Sequence, residues 1–269
     1  MAWWRRSKKE ITMKSSKTTF LLTTALAVVL SAAPTTFAGP SRTRTRAGTY
    51  DDSKGNSGTF VTTKTLSPGS RSSATTWTNQ NGQTGDHTRS STWNKAADTG
   101  TFNSATTLTN GKTASRQGTV TETAPGNYQI DGTRTGFNGK TSTFDLDKTK
   151  TSTGSTTTGT ITGPKGGVSA LNSTVTKTGN GYDKDTTIAG PNGGKTTIDT
   201  TFAKSAGQTV KNTDVTLANG KTDDRVVDTK FNPDGSGTRT ITNTGANGQT
   251  YTRTENFSAP VTTTSQPKS

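Results

Sequence analysis

The sequence of 269 residues has no cysteine, only one histidine and few apolar residues. Disulfides therefore cannot hold the fold together, and a metal site that needs two histidines is excluded. Hydrophobic residues make up 24% of the chain and the mean hydropathy is -0.78, which excludes a thick apolar core. Such a composition usually favours disorder, but threonine is abundant here and threonine favours strands. Together with the regular pattern described below, this predicts an ordered all-β protein.

The N-terminal segment 1–38 differs from the rest of the chain. Lys14 and Lys17 precede an apolar run of about 14 residues, which is shorter than the roughly 20 needed to cross a bilayer. The run is followed by Thr36-Phe37-Ala38, which ends in a small residue suited to signal-peptide cleavage. We predict an N-terminal extension and a signal peptide that is cleaved after Ala38, with Met1 or Met13 as the true start. The mature chain is then secreted (periplasmic, cell-surface or extracellular) and has no transmembrane span.

A turn signal, Asn-Gly or Lys-Gly, recurs about every 27 to 29 residues. A second turn, such as Pro68-Gly69 or Pro125-Gly126, divides each unit and leaves two strands of about 8 to 11 residues. Asn-Gly is typical of tight type I′ turns, in which both central residues have positive φ and which join neighbouring antiparallel strands. The recurring pairs are Lys54-Gly55, Asn81-Gly82, Asn110-Gly111, Asn138-Gly139, Lys165-Gly166, Asn192-Gly193, Asn219-Gly220 and Asn247-Gly248.

The strands alternate threonine with sparse large residues, as where Thr101 and Thr107 alternate with Phe102 and Leu108. This predicts an antiparallel β-hairpin repeat array over residues 39–257: a long meander of about 16 strands in a thin twisted or curled sheet. A β-solenoid with one coil per unit is the alternative. Residues 258–269 are predicted to be a disordered tail. Sixteen strands would also suffice for an outer-membrane barrel, but neither face carries the apolar band that lipid requires.

Catalytic signals are weak throughout the chain. His87 is the only histidine, and no serine lies in a nucleophile-elbow motif. The segment Gly193-Gly194-Lys195-Thr196 resembles the end of a phosphate-binding loop, but the spacing from Gly190 does not fit one. Aspartate pairs such as Asp145/Asp147 are too few for a calcium loop. We therefore expect a protein that is not an enzyme and has no metal or cofactor.

Charge is the main indication of a partner. The formal net charge is +14, and removing residues 1–38 leaves about +9, which favours acidic polymers. Arg42, Arg44 and Arg46 lie on one side of the first strand and are candidate contacts for a polyanion, such as an anionic polysaccharide or a cell-envelope component. Alternatively, these charges keep an exposed edge strand from aggregating. Self-association through edge strands is a further expectation.

Two turns carry a family resemblance, Gly190-Pro191-Asn192-Gly193-Gly194 and Phe231-Asn232-Pro233-Asp234-Gly235. They resemble the turns of threonine- and Gly-Pro-Asn-Gly-rich exported repeat proteins of bacteria and, more weakly, tyrosine-aspartate hairpin repeats, which implies an array of β-hairpins. The sequence thus predicts an exported, non-enzymatic β-repeat protein with a surface, adhesive or envelope-structural role. The alternative is a binding module for an anionic glycan or extracellular nucleic acid.

Overall fold

A computed structural model of the protein describes residues 40–265, which form strands and turns. The predicted signal peptide and start site lie outside these residues. Within this range, no helix has the length and apolar character that crossing a membrane would need. The strands are β1 (Ser41–Asp52), β2 (Ser57–Ser67), β3 (Ser70–Asn79), β4 (Thr84–Asn94), β5 (Thr99–Thr107), β6 (Thr113–Ala124), β7 (Asn127–Thr135), β8 (Thr141–Lys150), β9 (Gly154–Thr162), β10 (Val168–Thr178), β11 (Gly181–Ala189), β12 (Lys195–Ser205), β13 (Gln208–Thr216), β14 (Thr222–Phe231), β15 (Gly237–Thr244), β16 (Thr250–Phe257) and β17 (Val261–Ser265).

The sheet closes on itself. Each strand from β1 to β16 pairs antiparallel with the next one in sequence, and β1 also pairs antiparallel with β16, Gly48 lying opposite Phe257. The predicted all-β antiparallel meander is confirmed. The predicted open sheet is wrong, because its first and last strands join to make a closed barrel of 16 strands. The solenoid alternative is also wrong, because neighbouring strands are antiparallel rather than stacked in parallel.

The closure uses both halves of β1. Its second half pairs with β16, and its first half pairs with β17, where Thr45 lies opposite Val261. Across this seam the Tyr251 hydroxyl donates a hydrogen bond to Asp52 Oδ2 at 2.8 Å. The seam therefore joins residues that are 199 positions apart in sequence. Strand β17 lies within the segment for which the sequence predicts a disordered tail.

The recurring Asn-Gly and Lys-Gly turns all lie at one end of the barrel, because they connect β1 to β2, β3 to β4 and so on around it. They are not type I′ turns as predicted. In the turn between β3 and β4, Asn79 pairs with Gln83 and the Gly82 amide donates to the Asn79 carbonyl, leaving three loop residues. Only the glycine has positive φ (74° at Gly82), whereas Asn81 does not. This is the three-residue hairpin connection with a glycine bulge.

Burial alternates along each strand and separates two faces. In β8, Phe144, Leu146 and Lys148 are buried while the residues between them are exposed. Only one face of a closed sheet is shielded from water, so the buried set lines the interior. One apolar cluster there is formed by Val120, Tyr128, Ile130, Phe144, Leu146 and Leu171. The opposite, outer face is largely threonine, as the sequence predicts.

Inner aromatic rings lie over glycines on adjacent strands. Phe102 on β5 is opposite Gly118 on β6, and Phe144 on β8 is opposite Gly132 on β7. The two phenyl rings reach inward over these glycines and stack with their centroids 6.2 Å apart. Glycine is needed because a Cβ would collide with the ring or the neighbouring backbone. The same arrangement recurs at Tyr50–Gly58, Phe60–Gly48, Trp77–Gly85, Trp93–Gly100 and Phe257–Gly237.

Candidate functional site: the basic interior of the barrel

Positive and negative side chains lie on different faces of the barrel wall. The inner face carries most of the arginines and lysines, whereas aspartates are concentrated on the outer face. The register of the strands places the following cations inside: Arg42, Arg44, Arg46, Lys64, Arg71, Arg89, Arg116, Arg134, Lys148, Lys184, Lys211, Arg225, Arg239 and Arg253. The acidic groups among them are fewer, chiefly Asp223 and Glu255. The interior is therefore a strongly basic space.

Five of these cations form a continuous row across neighbouring strands, which we call the basic row. Its members are directly opposite one another or separated by a serine on the strand between. Adjacent strands lie about 4.8 Å apart, so the row is a dense line of positive charge. In order from β1 to β7 its cations are Arg44, Lys64, Arg89, Arg116 and Arg134, and the two intervening serines are Ser73 on β3 and Ser104 on β5.

Arg116 is the most buried member of the basic row, with 6% of its surface exposed. Its guanidinium carbon lies 4.6 Å from the centroid of the Phe144 ring and 5.3 Å from that of Phe102. Burial, together with the charges of Arg134 and Arg89, lowers the pKa of Arg116 to about 10. The stacked rings hold the cation by cation–π attraction.

Two further buried cations, Lys148 on β8 and Lys184 on β11, flank a patch of hydroxyl groups. Each of the two lysines is 6% exposed. Burial, together with the nearby charges of Lys211, Lys148 and Arg116, lowers the pKa of Lys184 to about 8. Burial also lowers the pKa of Lys148. An anion beside these groups would relieve both the desolvation and the mutual repulsion of the ammonium groups.

The predicted polyanion contacts, Arg42, Arg44 and Arg46, lie on the inner face of β1. Arg46 donates a hydrogen bond from Nη2 to the Gly235 carbonyl at 3.2 Å, and its guanidinium carbon is 4.5 Å from the Phe257 ring centroid. Burial and the charges of Arg239 and Arg44 lower the pKa of Arg46. Arg42 and Arg44 are more exposed, towards the end of the barrel where β17 pairs with β1. The structure thus joins Arg44 to the basic row.

His87 also lies inside the barrel, half-buried on β4. Its Nδ1 is 2.8 Å from the Thr106 hydroxyl, and burial together with the charge of Arg89 lowers its pKa. A histidine that is neutral at pH 7 adds no charge to the interior. Among residues 40–265, no three histidine, aspartate or glutamate side chains converge as a metal site.

The outer wall has the opposite charge. Asp185, Asp199, Asp214 and Asp224 lie directly opposite one another on four consecutive strands. Burial and the charges of Asp224 and Asp199 raise the pKa of Asp214. Large apolar side chains are scattered on this wall, with Val61 46% and Val226 39% exposed. The wall is therefore polar and acidic rather than a lipid-facing apolar band.

The buried lysines were not among the residues singled out from the sequence, although a signal for them exists. Lys148 continues the alternation of Phe144 and Leu146, and Lys184 continues that of Tyr182. In a period of two, such lysines fall on the face of the large residues. Only the closure of the sheet shows that this face is an enclosed interior.

No protein-family model matches the chain, and neither does any curated protein. Among solved structures, a mutant of the porin from Rhodopseudomonas blastica aligns over 82% of this chain and 99% of its own, with 9% identity and a TM-score of 0.50. A triple mutant of the same porin aligns over the same shares with 8% identity and a TM-score of 0.49. At this identity the likeness concerns the fold alone.

The predicted surface, adhesive or envelope-structural role of an open repeat array is wrong. The repeated hairpins form a closed, porin-like barrel, so the protein lacks the open, extended sheet on which that role depends. The alternative, a module with a basic surface for glycans or nucleic acid, falls with it, because the cations point inward and the outer wall is acidic. The predictions of a protein that is not an enzyme and that is secreted stay predictions, because a likeness at this identity concerns the fold alone.

Proposed function

We propose that this chain is an anion-selective β-barrel of the cell envelope, which admits small anionic solutes to its interior and excludes cations. The observation that carries the proposal is the separation of charge across the wall, with the basic row inside and the acidic row of Asp185, Asp199, Asp214 and Asp224 outside. Low-dielectric walls around like charges focus the field and raise the local concentration of counter-ions.

The outer wall favours a barrel that works in the aqueous part of the envelope after export. Threonine and aspartate keep their hydrogen bonds to water there, whereas a lipid environment would leave them unsatisfied. Pairs such as Thr43–Thr65 and Thr92–Thr101 bond to each other at 3.1 and 2.8 Å, but the outer wall also carries the row of four aspartates. In this form the protein takes up an anion and releases it in solution.

The test is equilibrium binding of a small anionic dye and of a cationic dye of similar size to the exported protein. We expect binding of the anionic dye only, weakening steeply as salt screens the charges. The double variant Arg89→Gln/Lys211→Gln removes two half-buried inner cations and should weaken binding about tenfold or more. The matched variant Lys195→Gln/Lys230→Gln removes two outer cations and should leave binding unchanged. Equal losses in both variants would contradict an interior site.

A channel through a membrane is the second candidate, and the closed porin-like barrel is the observation that favours it. In that case the same basic interior would select anions during passage. The protein is added to a planar bilayer separating two potassium chloride concentrations. Stepwise conductance whose reversal potential indicates chloride selectivity would support the channel. Retained dye binding without conductance would support the barrel in solution.

A further inference from the structure

The Asn-Gly and Lys-Gly turns form one rim of the barrel, and all eight share one construction. The glycine amide donates to the carbonyl three residues earlier, as where Gly139 donates to Gly136 at 2.8 Å. The amide of that earlier residue donates to the residue after the glycine, as from Gly136 to Lys140 at 2.9 Å. Because the loops are equal in length and geometry, the rim is an even ring from which no single loop projects.

The tips of these loops are open to the surroundings. A Cβ built on the glycine of any of the eight turns, such as Gly111 or Gly166, meets nothing within 4 Å beyond its two chain neighbours. The turns at the opposite rim pack more closely, since a Cβ on Gly69 would meet the Trp93 carbonyl at 2.8 Å. A body outside the barrel can therefore reach the rim of Asn-Gly and Lys-Gly turns directly.

Lysine is the only charged residue type in these eight turns. Five turns contain one lysine each, a sixth directly precedes one, and all six side chains are exposed. We call this ring the lysine rim, and its members are Lys54, Lys112, Lys140, Lys165, Lys195 and Lys221. None of them forms a salt bridge to an acidic group among residues 40–265. The turns of the opposite rim, by contrast, contain Lys95 together with Asp98 and Asp234.

Two carboxylates at the strand ends beneath the lysine rim are engaged within the protein. Asp52 accepts hydrogen bonds from the Tyr251 hydroxyl and from Asn56 Nδ2, at 2.8 and 2.9 Å. Asp223 is buried and accepts from the Ala246 amide. These bonds hold both carboxylates at the base of the loops. The lysines of the turns are therefore the outermost charges at this end of the barrel.

We propose that the lysine rim docks end-on onto a lipid surface that contains anionic headgroups. Clustered lysines are attracted to such a surface, and an even ring can bring all six ammonium groups to a plane together. Since they belong to one barrel, the contact made by one lysine holds the others close to the surface. The acidic row on the outer wall is repelled by the same headgroups, which favours contact through the rim rather than through the wall.

The opposite rim holds the first and last strand residues that the structure describes. Ser41 and Ser265 lie opposite each other where β1 pairs with β17, at the end of the barrel away from the lysine rim. The lysine rim is formed by turns alone. A linear polyanion would reach only part of such a ring, whereas a flat surface meets all of it. The geometry therefore favours a membrane surface over a polymer strand.

The experiment is cosedimentation of the exported protein with lipid vesicles at low salt. We expect binding to vesicles of phosphatidylcholine with phosphatidylglycerol, and none to vesicles of phosphatidylcholine alone. Binding should be lost at about 1 M potassium chloride, where charges are screened beyond about 3 Å. Equal binding to both kinds of vesicle would overturn the proposal. Retention at high salt would also overturn it and would instead support the channel through a membrane.

Two variants with the same loss of charge locate the contact. The rim variant is Lys112→Gln/Lys140→Gln/Lys165→Gln/Lys221→Gln, and the control variant is Lys95→Gln/Lys177→Gln/Lys204→Gln/Lys230→Gln, at or next to the opposite rim. All eight lysines are exposed, so both variants should fold as the unaltered protein does. The rim variant should bind anionic vesicles about 100-fold more weakly or worse, and the control should change little. Equal losses would show that net charge, not the rim, is responsible.

Two further measurements separate the possible outcomes. Dextran sulfate is a soluble linear polyanion, and binding to it without binding to anionic vesicles would show that membrane docking is wrong. The anionic dye reports on the interior, and the rim variant should bind it as the unaltered protein does. Dye binding without vesicle binding would overturn the docking surface alone. Vesicle binding that depends on the rim, without dye binding, would overturn the anion-selective interior alone.

Discussion

The phenyl ring of Phe144 lies over Gly132, the residue directly opposite it on β7. A Cβ built on Gly132 would approach the Phe144 Cζ atom to 2.5 Å and would also collide with the Gln117 carbonyl. Glycine in the middle of a strand ordinarily weakens the strand. Here it makes room for a ring that supports Arg116 from one side. The glycine and the ring are therefore a single structural unit.

We expect Gly132→Ala to destabilise the protein by about 1 to 3 kcal/mol, because the added methyl group forces the ring and the backbone apart. The free energy of unfolding in urea measures this. Gly179→Ala is the matched control, since a Cβ at Gly179 meets nothing within 4 Å, and it should be nearly neutral. If both variants unfold at the same urea concentration, the ring does not require the glycine.

Stability should rise with pH because of Lys184. Burial and the neighbouring cations lower the pKa of this lysine to about 8, whereas in the unfolded chain the lysine keeps its ordinary pKa of 10.5. Between these values the folded state has released its proton and the unfolded state has not, so the free energy of unfolding increases with pH, by about 3 kcal/mol in total. Below about pH 8 Lys184 is charged in both the folded and the unfolded state, so its contribution to the free energy of unfolding does not change with pH.

Lys184→Met removes this dependence and should be more stable than the unaltered protein at pH 7. Urea unfolding at pH 7, 8, 9 and 10 measures the slope for each protein in the absence of anions. The matched variant Lys195→Met replaces an exposed lysine of the outer wall and should keep the slope. A slope that persists unchanged in Lys184→Met would show that other groups produce it.

The acidic row on the outer wall should cost stability at neutral pH. Asp214 lies between Asp199 and Asp224, and like charges directly opposite each other repel. Asp214→Asn should therefore stabilise the protein by about 0.2 to 1 kcal/mol, and the gain should shrink at high salt. Asp86→Asn is the control, because Asp86 lies between Thr76 and Thr107 and should give no gain.

Closure of the barrel can be tested with a disulfide, because the chain has no cysteine of its own. Thr49 on β1 and Asn256 on β16 are opposite each other on the outer face. The variant Thr49→Cys/Asn256→Cys should form a disulfide under mild oxidation and gain up to about 5 kcal/mol, since the bond closes a very long loop. Electrophoresis with and without reductant detects it.

The control pair is Thr49→Cys/Thr133→Cys, which places the second cysteine on β7, far around the wall. It should not form an intramolecular disulfide, because cysteines bridge only when their Cα atoms are within about 7 Å. An open sheet would leave β1 and β16 at opposite edges. Failure of the first pair to cross-link while the protein remains folded would therefore contradict closure.

Local features of this fold were predictable from the sequence. The alternation of Thr101 and Thr107 with Phe102 identifies the two faces, and the spacing of pairs such as Asn81-Gly82 identifies the hairpins. These signals are local because a strand has a period of two and a turn needs glycine at one position. The turn type was wrong because the loop contains one more residue than the Asn-Gly pair indicates.

Closure was not predictable in the same way. It depends on the register between β1 and β16, which are far apart in the chain, and no local pattern fixes a pairing over that distance. The direction of Arg44 depends on closure, because either face of an open sheet can hold an arginine. The pairing of Phe144 with Gly132 becomes visible only when the two strands are aligned. The basic interior therefore follows from long-range pairing rather than from composition.

The confinement of the Asn-Gly and Lys-Gly turns to one rim has a consequence for how such a protein changes size. Each sequence unit supplies one hairpin of two strands. Each of these strands pairs on its other side with a strand of a neighbouring hairpin. Duplication or loss of one unit would therefore widen or narrow the barrel by two strands without altering the other hairpins. The number of sequence units therefore sets the circumference of the barrel. Relatives with more or fewer units would form barrels of larger or smaller diameter.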